Sequence, residues 1–120
     1  GNSKQKLAKS KAAIYEALAY GRSFVANDYH ANSKGFQFFA KSGKKKYYMG
    51  DYVDFSEKIT LSVTLPVQNA EIKIIRNGKE IADFSSDKAE FEVKKAGAYR
   101  VEVYYFNKAW IYSNHIRIGV

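Results

Sequence analysis

The side chains able to do chemistry in this sequence are few and far apart. Asp28 and His30 stand two residues apart, a spacing that puts a carboxylate and an imidazole on one face of an extended strand, where they would supply two metal ligands. A zinc or binuclear centre needs three or more, and the other imidazole, His115, lies 85 residues further on. Ser113-Asn114-His115 sets a hydroxyl close to an imidazole, but the triplet interrupts a strand pattern and reads as a bulge satisfied by its own side chains. No HxH pair, HExxH, GxSxG or P-loop occurs, so no catalytic residue and no cofactor or metal is assigned to this chain.

Two aromatic groupings have the right residue types for binding. Trp110, Tyr112 and Tyr104 form a candidate stacking platform for a sugar or a base. The simpler reading is that a lone tryptophan at a strand start fills one end of a core. Lys44, Lys45 and Lys46 run into Tyr47 and Tyr48, a combination that pairs phosphate neutralisation with stacking. Three lysines at a hairpin tip are first of all a solvated loop, so nucleic acid is not the expected partner. The alternative function carried forward is a module that binds carbohydrate or single-stranded nucleic acid through these residues.

The elements that must position these groups are mostly strands. Ile59 to Leu65 alternates without error and stops at Pro66, which has no amide to give a ladder. Ala70 to Arg76 alternates through Ile72 and Ile74, Asn77-Gly78 is a strong two-residue hairpin signal, and Lys79 to Phe84 returns. Further extended stretches run over Arg22–Tyr29, Phe36–Lys41, Tyr47–Met49 and Ala89–Val93, and two closing strands lie within Gly97–Val120. In the last of these Trp110, Tyr112, Ile116 and Ile118 share one parity. Strands every 8 to 12 residues with no helix between them predict a mainly β chain. The expected fold is a two-layer antiparallel immunoglobulin-like β-sandwich of about seven or eight strands over residues 22–120.

Ahead of it, residues 1–21 read as a tag remnant at Gly1 and a linking helix from Lys4 to Tyr20, with Leu7, Ile14 and Leu18 on its apolar stripe and Gly21 as its cap. So short a helix must dock, either on its own sheet or on a neighbour further N-terminal. Its stripe also gives a route to homo-oligomers.

Composition narrows the class. Eighteen of 120 residues are Tyr or Phe and only one is Pro, which favours sheet surfaces over a helical bundle and excludes a solvated tail. There is no cysteine, no long apolar run and no signal-peptide core, so a cytoplasmic chain with no membrane partner is expected. The net charge of +8 is unevenly placed. Residues 1–46 hold ten Lys/Arg against Glu16 and Asp28, whereas residues 47–120 are balanced, so a basic face can come only from the N-terminal segment and the first hairpin.

Four stretches in order carry a resemblance: Ile14–Tyr29 (IYEALAYGRSFVANDY), Leu65–Ile81 (LPVQNAEIKIIRNGKEI), Gly97–Tyr105 (GAYRVEVYY) and Trp110–Ile116 (WIYSNHI). Together they resemble the C-terminal portion of bacterial PHP-family metal-dependent phosphoesterases, including the CehA/McbA-like metallohydrolases. The resemblance spans roughly residues 12 to 119 and departs from the family at His115, where a proline is usual. It implies an accessory immunoglobulin-like domain that follows a catalytic barrel. The divalent metals and their ligands would belong to that N-terminal barrel, which would be this domain's intramolecular partner, and the helix would sit at the domain interface.

Overall fold

The computed structural model describes residues 12–17, 22–56 and 58–120. Twelve strands form among them: β1 (Ala12–Ala17), β2 (Arg22–Asn27), β3 (Gln37–Ser42), β4 (Lys45–Tyr48), β5 (Tyr52–Val53), β6 (Ile59–Thr64), β7 (Ala70–Arg76), β8 (Lys79–Ser85), β9 (Lys88–Glu92), β10 (Gly97–Tyr105), β11 (Lys108–Ser113) and β12 (Ile116–Ile118). They build two sheets, one of eight strands and one of four, the latter in the order β4-β3-β6-β9. The fold is a mainly β two-layer sandwich, antiparallel throughout except where β12 pairs with the two-residue β5.

β10 organises the large sheet because its alternation is complete: Tyr99, Val101 and Val103 are buried while Arg100, Glu102 and Tyr104 face outward. One edge of it pairs with β7 from Tyr99 to Tyr105. The other edge is shared, β11 taking the Glu102 end and β12 the Gly97 end. At the break between β11 and β12, Ser113 Oγ accepts the Val101 N–H at 2.8 Å and donates to the Asn114 carbonyl at 2.9 Å. A side chain thus fills the gap in the ladder that the expected bulge opens.

The core lies between the sheets. Phe38, Ile59, Leu61 and Val63 from the small sheet meet Ile72, Ile74, Ile111 and Ile116 from the large one. Turn chemistry follows the residue types: Asn77 and Gly78 both take positive φ, as a twisted two-residue hairpin requires. The Asn77 side chain and amide also pin this turn to Ala98 of β10, with two hydrogen bonds of 2.9 Å.

Two expectations need correction. The helix expected from Lys4 to Tyr20 falls largely on residues outside those described, Leu7 and Leu18 among them. Its described part, Ala12–Ala17, is β1, with Ile14 opposite Val25 in the register. Good helix formers yield here because β2 offers a complete antiparallel ladder, and pairing outweighs a weak intrinsic preference. The shared parity of Trp110 and Tyr112 also fails. The register slips between Val103 and Tyr104, so Val103 faces Ile111 while Tyr104 faces Ala109, leaving Trp110 as the inserted residue of a bulge. Trp110 and Ile111 are consequently both buried, and Tyr112 turns outward.

At the β10–β11 tip, Phe106 holds φ 50° and is 72% exposed. A left-handed conformation disfavours a bulky L-residue, so Phe106→Asn is expected to raise stability by about 1 kcal/mol, read from the urea midpoint.

Candidate functional site

The loop after β2 carries the first candidate pair. β2 ends at Asn27, so Asp28 and His30 belong to a turn and not to the strand face on which they were expected. Asp28 Oδ1 accepts the Ser33 amide at 3.2 Å, and the His30 ring lies 3.4 Å from the Asn27 amide nitrogen. Ala31 accepts the Trp110 indole N–H at 2.8 Å, which ties this loop to β11. Among the described residues no group of three or more His, Asp or Glu is placed to hold a metal ion.

The Ser113-Asn114-His115 triplet is structural. The Ser113 hydroxyl is committed to backbone on both sides, and the His115 carbonyl accepts Gly50 N–H at 2.7 Å. Burial and the nearby Arg100 guanidinium push the His115 imidazole below its ordinary value. With the folded pKa lowered, the unfolded chain takes the proton first. Stability from this group is full above about pH 6.5 and is lost as pH falls through that value toward the folded pKa. In His115→Gln that part of the acid slope should disappear from urea unfolding measured over the same range.

Of the expected aromatic platform, Tyr104 and Tyr112 do share the outer face of the large sheet, but Trp110 is only 2% exposed and points into the core. The two tyrosine rings are 6.4 Å apart and inclined by 60°, so they offer no common plane for a flat ligand. Their hydroxyls lie 3.3 Å apart, and Tyr104 donates to Glu102 at 2.9 Å. Glu102 in turn accepts from Arg100 at 2.6 Å, and Lys73 sits 5.3 Å above the Tyr104 ring. The Tyr112 hydroxyl first, then burial and the Glu102 carboxylate, hold the Tyr104 phenol well above its ordinary value. This network satisfies itself.

The basic hairpin is the second candidate. Gly43 and Lys44 form its tip, Lys44, Lys45 and Lys46 are exposed, and Tyr47 turns inward to pack against the core. Tyr48 keeps the outward face, where register sets it directly opposite Phe39 and sets Lys46 opposite Lys41. The Phe39 and Tyr48 rings are 6.1 Å apart, with the Lys46 ammonium 4.8 Å over Phe39. Phe39 and Lys41 are the members that reasoning from sequence missed. The available signal was the parity of Phe39 against Phe38, read across a two-residue turn at Gly43-Lys44.

Among the described residues no helix is long and apolar enough to cross a membrane. No protein-family model, curated protein or solved structure matches this chain.

Proposed function

We propose that this chain is a non-catalytic, immunoglobulin-like accessory domain of a PHP-type metal-dependent phosphoesterase, positioned on or against an N-terminal catalytic barrel. One observation carries the reading. The four stretches that resemble the family, scattered over more than 100 residues, supply strands of a single sheet: β2, β7 and β8, β10, and β11 leading into β12, whereas β1 stands where the resemblance implies a helix. Residues that share a sheet share a constraint, so a common architecture accounts for their occurring together in order. The resemblance implies that the metals of such an enzyme would be held by the barrel. The departure at His115 also has a local account, since at the β11–β12 break its backbone N–H, which a proline would lack, donates to Asn114 Oδ1 at 2.8 Å.

The test is the reading frame upstream of this segment. It should encode a histidine- and aspartate-rich barrel, with HxH near its start and DxH late in it. A frame encoding neither removes the parentage.

A further inference from the structure

The ladder between β7 and β10 ends on a side chain. Asn77 donates its own amide to the Ala98 carbonyl at 2.9 Å, but the Ala98 N–H is taken by Asn77 Oδ1, also at 2.9 Å. In a hydrogen-bonded antiparallel pair the two residues exchange both bonds through their main chains. Here Asn77 holds φ 51°, the turn leaves the strand path, and the carboxamide stands in for the carbonyl. The last rung is therefore made by a group that can react.

Its reaction partner is the next amide. A carboxamide closes on the nitrogen that follows it only if that nitrogen can approach Cγ, and a side chain on the following residue obstructs the approach. Every other asparagine in the chain is followed by a residue with a β-carbon. At Gly78 nothing lies within 4 Å of where a β-carbon would stand, and both turn residues are exposed to water. In the closing step the Gly78 nitrogen bonds to Asn77 Cγ, the Cγ–Nδ2 bond breaks, and ammonia leaves with the proton that the Gly78 nitrogen gives up. Water then opens the cyclic imide. Attack at Cγ yields aspartate, and attack at the main-chain carbonyl yields isoaspartate, in which the chain runs through Cγ.

The fold adds a restraint. With Oδ1 on the Ala98 amide the carboxamide is held toward β10, and ring closure must first take it off that bond. We propose that Asn77 is a site of spontaneous succinimide formation, and that its rung to Ala98 gates the reaction. The products differ in what they leave behind. Aspartate keeps a side-chain oxygen for the Ala98 N–H, whereas isoaspartate has made that oxygen a main-chain carbonyl and lengthened the turn by a methylene. Each isoaspartate event thus unfastens the turn from β10. Only the β7–β8 turn and β10 enter, so the site stands independently of the accessory-domain reading.

The test incubates the purified chain at neutral pH, with and without denaturing guanidinium. Peptide mapping by mass spectrometry locates each exchange of amide for acid, and an isoaspartyl methyltransferase assay counts isoaspartate. Modification should concentrate at Asn77 and be slower in native buffer by at least about twofold, the lower end of what one net hydrogen bond converts to. Ala98→Pro removes the N–H and keeps the facing carbonyl, so it should speed the native reaction by about 2- to 12-fold. Circular dichroism establishes that this variant is folded. If it is not, the parent is followed through guanidinium concentrations below its unfolding transition, where modification should rise in proportion to hydrogen exchange at the Ala98 amide. No modification at Asn77 in denaturant, or modification spread evenly over the asparagines, overturns the site. Equal native and denatured rates, a folded Ala98→Pro chain that reacts no faster than the parent, or modification that does not track Ala98 exchange overturns the gate.

Discussion

Trp110→Ala is expected to lower the unfolding free energy by about 3–5 kcal/mol, the cost of emptying a large aromatic site in a core. The ring is buried to 2% exposure, lies 5.6 Å from Tyr105, and its N–H holds the Ala31 carbonyl at 2.8 Å. The substitution therefore removes both a core volume and the tether of the β2–β3 loop. For a domain whose whole stability is about 5–15 kcal/mol, the loss leaves little margin. Trp110→Phe separates the two contributions: it retains most of the apolar volume, abandons the indole hydrogen bond, and should cost about 1–2 kcal/mol. Urea unfolding followed by far-ultraviolet circular dichroism measures both. A loss below about 1 kcal/mol for Trp110→Ala would mean that the bulge does not bury this ring, because truncating a buried Phe or Trp to Ala costs about 3–5 kcal/mol.

Gly97→Val is the second large effect, expected at about 1–3 kcal/mol from overpacking. A β-carbon on Gly97 would stand 2.8 Å from Arg76 Nε and 2.9 Å from Arg76 Cγ. The arginine cannot swing aside freely, since its Nε and a terminal nitrogen donate to the Ala96 carbonyl at 2.9 and 2.7 Å. Relief of the clash forfeits both hydrogen bonds. In an Arg76→Ala background, where the obstacle and its bonds are already gone, the added cost of Gly97→Val should fall by about 0.5–3 kcal/mol, the range typical of touching residues. Equal costs in the two backgrounds would place the strain elsewhere.

Both sites show what is legible in a sequence. Alternation in Ile59–Leu65 and Gly97–Tyr105, and the Asn77-Gly78 turn, identify β6, β10 and the β7–β8 hairpin, because strand period and turn conformation are local properties. The bulge at Trp110 is not local in this sense. Its position depends on how β11 meets β10, and a one-residue slip moves Trp110 inward and Tyr112 outward, which removes the coplanar platform their spacing suggested. The strand at Ala12–Ala17 fails for the same reason, since its ladder partner is invisible to a helical propensity count. On the small sheet, Lys46 and Tyr48 were evident as residue types. That Lys41 and Phe39 complete their rows is a fact of pairing, and pairing is set across the Gly43-Lys44 turn.

The proposal at the centre of this account is that the reacting groups of the parent enzyme reside in a barrel outside this segment. The direct measurement is hydrolysis of a generic phosphoester by the purified 120-residue chain with added manganese or zinc. The account predicts a rate equal to that of buffer containing the same metal. A rate well above it, abolished by a chelator and following the protein through gel filtration, would contradict the account.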